Sequence, residues 1–150
     1  VKILTNSLAS TDNLFAFSGY KRGRDALLEA GVELYESKPR MDAQSSLMNG
    51  PVEPRYQGSM ALHAKSMVVD GSIAVVGSFN LDPRSANLNT ECLVILDDTP
   101  LASGVREHMI DEMKPRNAWR ITPDSNPDEH APFSHKWKVF WARPIFKGIL

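Results

Sequence analysis

Alternation of apolar and polar positions comes, goes and returns within the first 40 residues. The opening stretch Val1-Lys2-Ile3-Leu4-Thr5-Asn6-Ser7 is strand-like. Ser10-Thr11-Asp12 then offers N-cap oxygens to a helix that runs to Ala30, with Gly31 placed to end it at C′ and Gly19 and Gly23 weakening its middle. Val32-Glu33-Leu34-Tyr35-Glu36 alternates again. Strand, helix, strand in this order predicts a parallel right-handed crossover and an α/β layer fold. From Lys38 to about Ser59, Pro39, Gly50, Pro51, Pro54 and Gly58 interrupt any period and predict a long surface loop. Leu62–Val69 and Ser72–Val76 are β-rich runs on either side of Asp70-Gly71, a strong hairpin signal. Thr90–Leu96 reads as a further strand, and Pro100–Met113 as a helix with Leu101, Val105, Met109 and Met113 four apart.

Composition narrows the picture further. The chain has 150 residues, a length that predicts one domain, with 42% hydrophobic and 23% charged residues, as in a soluble globular protein. Its net charge is -1, so any polyanion site must be local. The single Cys92 lies in the run Cys92-Leu93-Val94-Ile95-Leu96 and is expected to be a small buried hydrophobe. One cysteine leaves no intrachain disulfide or cysteine cluster. No apolar run approaches the roughly 18 residues needed to cross a bilayer. The strand-like start, without an initiator Met or signal peptide, reads as part of a longer protein. The pattern divides residues 1–125 from a basic aromatic segment, 126–150. There Phe133, Trp137, Phe140, Trp141 and Phe146 interleave with Lys136, Lys138, Arg143 and Lys147, and no acidic residue follows Glu129. The segment either packs its aromatics on the core or a partner lobe, the favoured reading, or lies on an anionic membrane surface.

Chemistry concentrates in Leu62–Asp70 and Gly77-Ser78-Phe79-Asn80. In extended chain, residues two apart share a face, so His63 pairs with Lys65, and Ser78 with Asn80. If the runs pair through the turn, an imidazole, an ammonium, a hydroxyl and a carboxamide converge in a metal-free oxyanion site. These groups suit a phosphodiester. Lys65, Ser78 and Asn80 would hold the non-bridging oxygens, and His63 would attack phosphorus or shuttle a proton. A carboxylate should orient the imidazole, and Glu91 is the candidate. Asp70 before Gly71 favours a turn role. Asp82 and Arg84 are expected to form a structural pair, with Arg84 on a phosphate as the alternative, and His108, His130 and His135 are assigned no chemistry. No His and carboxylate cluster has metal-ligand spacing, so no metal is expected.

These residues resemble the phospholipase D superfamily, whose signature H-x-K-x4-D-x6-G-S-x-N is filled by His63, Lys65, Asp70, Gly77, Ser78 and Asn80. Six fixed positions at about one in twenty each make a chance match on the order of 10⁻⁶ over the chain. Leu4-Thr5-Asn6-Ser7, Gly19-Tyr20, Leu27–Glu36 and Phe79–Ser85 extend the likeness to the second half of bacterial cardiolipin synthases, over Val1 to about Trp119.

The resemblance implies a phospholipase-D-like layered α/β fold, a mixed β-sheet flanked by helices, as a single lobe with one such motif. It also implies phosphatidyl transfer between anionic glycerophospholipids through a phosphohistidine, without a cofactor. Catalytic roles would fall to His63, Lys65, Asp70 and Glu91, with His63 as nucleophile or general acid/base. A second histidine would come from an N-terminal half or from a homodimer partner. The implied location is peripheral, at the cytoplasmic face of a bacterial inner membrane. Two rivals stand beside this: a phospholipase D or nuclease-like phosphodiesterase acting as a homodimer, whose nucleic-acid form the near-neutral charge disfavours, and a non-catalytic lobe.

Overall fold

The helix expected after the first strand starts one residue beyond the predicted cap, because Asn13 supplies the capping oxygen. In the computed structural model, which describes residues 1–39 and 61–142, Asn13 Oδ1 accepts from Ala16 N at 3.0 Å and opens α1 (Leu14–Glu29). Ser7 and Ser10 are instead buried and bonded to one another, with Ser10 Oγ 2.9 Å from Ser37 Oγ. Gly31 ends the helix at φ 80, a left-handed conformation that glycine adopts without strain.

Where length predicts one domain, the chain divides into two compact units. The described residues of the first are 1–39, 61–62 and 111–142, and those of the second are 63–110. The expected surface loop lies, beyond its first two residues, outside the described residues, as do Arg143, Phe146 and Lys147.

In the first unit, β1 (Lys2–Asn6) and β2 (Glu33–Ser37) pair in parallel from Lys2↔Glu33 to Asn6↔Ser37, so the crossover forms around α1. β6 (Ala118–Arg120) adds an antiparallel strand to β2, giving the order β1-β2-β6. Leu8 and Phe17 form a core with Ala131 and Val139. The last two come from the 126–142 stretch, which holds a 3₁₀ turn (Pro127–His130) and a helix (Phe133–Ala142). The division expected at 125/126 therefore falls inside this unit. Asn6 pairs through its side chain with both backbone groups of Leu62, at 2.7 and 2.8 Å.

A buried ionic cluster fastens that C-terminal stretch to α1. Arg24 Nη2 lies 2.6 Å from Glu36 Oε1 and 3.1 Å from Asp128 Oδ1, Lys21 also pairs with Asp128, and Tyr20 donates to Glu36 at 2.8 Å. Burial raises the Glu36 carboxyl above its ordinary range even though Arg24 and Tyr20 stabilise its ionised form. Burial also pushes Asp128 up, but hydrogen bonds from Lys21 and Arg24 outweigh it and leave this carboxyl low. The Tyr20 hydroxyl is raised by burial and by the neighbouring Glu36.

In the second unit, β3 (Ser66–Val69), β4 (Ile73–Gly77) and β5 (Leu93–Asp97) form an antiparallel sheet in that order. The hairpin is where Asp70-Gly71 predicts it, with φ of 50 at Asp70 and 73 at Gly71. A short helix α2 (Pro83–Asn87) precedes β5. α3 (Thr99–Glu112), whose last two residues belong to the first unit, follows it one residue ahead of the predicted range, its first turn capped by Asp98 Oδ1 accepting from Leu101 N at 2.9 Å. In chain order the helix at Phe133–Ala142 is then α4.

β5 starts at Leu93 rather than Thr90, and all five of its residues are exposed. Cys92 is exposed as well, not a buried hydrophobe, since it leads into a strand whose two faces are both exposed. The fold class is α/β, with the strands in two small sheets flanked by helices.

Candidate active site

His63 and Lys65 lie just before β3, which begins at Ser66 and not at Leu62 as the β-rich run suggests. One hydrogen bond still carries the ladder past the strand end, from Gly77 N to Lys65 O at 3.0 Å. Lys65 thereby stands beside the end of β4. Its Nζ is 3.4 Å from both His63 Nδ1 and Nε2, and donates to the His63 carbonyl at 3.0 Å. Equal reach to both nitrogens selects no tautomer, so the lysine places charge at the ring without orienting its proton. The imidazole itself is exposed.

Beyond Gly77 the chain is gripped by the segment leading into β5. Ser78 N donates to Cys92 O and Cys92 N donates to Ser78 Oγ, each at 3.0 Å. Only glycine fits at 77. A Cβ there would lie 2.1 Å from Cys92 O and 2.7 Å from Leu93 Cδ2. The G-S pair of the signature thus has a steric cause.

Glu91 does not contact His63 as expected. Its oxygens accept from Ser78 Oγ at 2.5 Å and Asn89 Nδ2 at 3.2 Å. The reason is local: with β5 starting at Leu93, residues 89–92 wrap around Ser78 instead of extending across the sheet. Hydrogen bonds from Ser78, Ser85 and Asn89 hold this carboxyl below its ordinary range, with a further contribution from the Lys65 charge. That charge links the His63-Lys65 pair to the Ser78-Glu91 pair.

Asn80 is exposed, and its carbonyl accepts from Asp82 N at 2.8 Å. Asp70 sits in the hairpin turn, five residues of extended chain or about 16 Å from Lys65. That distance keeps its carboxylate from the imidazole. Asp82, expected to pair with Arg84, is instead the N-cap of α2, with Oδ1 accepting from Ser85 N at 2.8 Å.

Sequence reading missed Ser85 and Asn89. Buried Ser85 takes a 3.5 Å hydrogen bond from Asn89, and both steady Glu91. The signal was present in Asp82-Pro83, a cap followed by proline at N1, which announces a short helix and hence the inward-facing Ser85. Among the described residues, no group of three His, Cys, Asp or Glu side chains stands at metal-ligand distances.

Cation, imidazole, hydroxyl and carboxylate at one sheet end can receive a tetrahedral anion and present it to a nitrogen nucleophile. The family model described as cardiolipin synthase, PLD-like domain, matches residues 1–113. Cardiolipin synthase C of Escherichia coli (strain K12) is 40% identical over 124 residues, 83% of this chain and 26% of that protein. An uncharacterised protein of Helicobacter pylori (strain 26695) is 34% identical over the whole chain, 26% of its own length. Cardiolipin synthase A of Salmonella arizonae is 37% identical over 73 residues, 49% of this chain and 11% of that protein. The chain thus spans about a quarter of the first of these relatives. No solved structure matches significantly.

Proposed function

This chain belongs to the cardiolipin synthase family of phospholipase-D-like domains, and on that premise we propose that it is one catalytic lobe of a phosphatidyltransferase acting on anionic glycerophospholipids. His63 attacks phosphorus, a phosphorus–nitrogen bond forms, and the bond to the departing alcohol's oxygen breaks. A histidine from a second copy of the motif protonates that oxygen and then deprotonates the acceptor alcohol, which takes the phosphatidyl group and frees His63. The reverse assignment of the two histidines uses the same site.

Lys65 and Asn80 bind the non-bridging oxygens, and Ser78, whose one hydroxyl proton goes to Glu91, holds the segment beside them. Glu91 acts through Ser78 and Lys65, and Asp70 shapes the turn. The partner motif comes from an N-terminal half or a second copy. The working location is peripheral, at the cytoplasmic face of a bacterial inner membrane. Among the described residues no helix is long and apolar enough to cross a membrane.

The observation that carries this reading is the Lys65 ammonium 3.4 Å from both nitrogens of an exposed imidazole. Purified protein given phosphatidylglycerol labelled in its phosphate should yield a base-stable phosphohistidine, absent in His63→Ala, and a transfer product. Cleavage of single-stranded DNA with no lipid turnover would replace this reading with the nuclease one. Sedimentation run beside the assay tests the second motif, since an active monomer of this chain alone contradicts the two-histidine cycle.

A further inference from the structure

Helix α4 carries two apolar faces, and among the described residues one of them stands exposed. At about 100° per residue, Phe133, Trp137, Phe140 and Trp141 share an arc of about 100°, and their exposures are 77%, 55%, 62% and 57%. On the opposite side Val139 is 3% exposed in the core, and the His135 ring lies with Nδ1 3.0 Å from Leu8 O. The aromatic arc therefore faces outward because the helix is already docked by its other side. Lys136 and Lys138 flank the arc, and the helix sequence FSHKWKVFWA contains no acidic residue. Two positive charges thus gather here on a chain of net charge -1.

The aromatics are also ordered against each other. Phe133 and Trp137 have ring centroids 6.4 Å apart, Trp137 and Trp141 5.9 Å, and Phe140 and Trp141 5.9 Å. Rings that already hold one another lose little side-chain freedom on binding. We infer that α4 is a bilayer-docking helix that lies flat on an anionic lipid surface, its aromatic arc at headgroup depth and Lys136 and Lys138 on lipid phosphates. Ten residues rise about 15 Å, half the hydrocarbon thickness, so the helix rests on the surface and does not span. Tryptophan and phenylalanine beside lysine suit that boundary, where a ring meets acyl chain and polar headgroup together. Charge decides the occupant: two lysines and no acidic residue on the helix match an anionic lipid surface.

The inference goes beyond the transferase reading, since docking requires none of the residues at the sheet end. The full chain is mixed with vesicles of phosphatidylcholine alone, or with about one third phosphatidylglycerol, and followed by co-sedimentation and tryptophan emission. Binding with a blue shift is expected on the anionic vesicles. W137A/W141A should reduce partition at least about tenfold. K136Q/K138Q should abolish the preference for phosphatidylglycerol, a loss of about tenfold or more. Phosphatidylglycerol carrying brominated acyl chains should quench wild-type emission, which tests the arc without any substitution. H63A should bind as wild type; a wild type that docks without turning over lipid fails the transferase reading alone, and one that turns lipid over without docking through the arc fails this one. Equal, weak partition to both vesicle types, or unchanged binding by W137A/W141A, overturns the proposal. So does sedimentation showing that the aromatics join two copies in solution while vesicles remain unbound.

Discussion

Replacing Arg24 by methionine should unfold the first unit far more readily at neutral pH than in mild acid. The guanidinium sits between Glu36, wholly buried, and Asp128, also buried, and pairs with one oxygen of each. Removing it leaves Asp128 with Lys21, but leaves Glu36 with a single neutral donor, Tyr20. Breaking one side of a buried pair costs about 3–5 kcal/mol, a large share of a total stability of about 5–15 kcal/mol. At about 2–4 °C per kcal/mol, Tm should fall by roughly 6–20 °C.

The pH dependence has a definite sign. The folded-state pKa of Glu36 is already raised, so protonation favours the fold, and stability declines as pH climbs through the folded pKa. Loss of Arg24 raises it further and deepens that decline. Asp128, held low by hydrogen bonds, acts oppositely, losing its contribution as pH falls through its folded pKa. Lys21, still paired with Asp128, preserves most of that contribution in the variant. The difference between wild type and R24M should therefore shrink between pH 7 and about pH 5. Urea unfolding followed by circular dichroism at both pH values measures it. A loss under about 1 kcal/mol at pH 7, or one that grows on acidification, would refute the reasoning. R24M/E36L, which removes the stranded carboxylate, should recover much of the loss.

Gly77→Ala should force β4 and Cys92 apart and break the Ser78–Cys92 bonds, costing about 1–3 kcal/mol and reducing transfer; urea melts beside an activity assay would expose a tolerated methyl. Glu91→Gln should lower kcat about tenfold with little change in KM, because it weakens the hold on Ser78 without touching lipid binding. A purely raised KM would contradict that. Asp70→Asn should leave activity within about twofold, since asparagine also accepts positive φ, and a loss as large as that of His63→Ala would restore a catalytic role to Asp70.

The crossover, the Asp70-Gly71 hairpin and the His63-Lys65 pair were legible because each rests on neighbours in the chain. Alternation sets a strand face, Gly31 and Gly71 take backbone shapes other residues avoid, and a two-residue spacing keeps an imidazole near an amine. The signature with its glycine at 77 was readable too, although only the structure supplies the cause: the Cys92 carbonyl occupies the space a side chain needs.

Other expectations failed where distant segments decide. Cys92 and the apolar run of β5 look like core, yet burial requires a layer over the face of the sheet, and among the described residues both faces of β5 stand exposed. Glu91 was placed by residue type, but its partner followed from where β5 begins, a matter of pairing with β4. By itself the sequence determined the class of fold, the turn chemistry and which groups stand at the site, since these follow from local geometry and residue type. Tertiary structure alone decided that residues 126–142 join the first unit. Asp128 reaches Arg24 across more than a hundred residues of chain, and Val139 rather than any aromatic turns toward Phe17. Local periodicity is blind to such choices, because the free energy of each contact depends on what the rest of the chain brings to meet it.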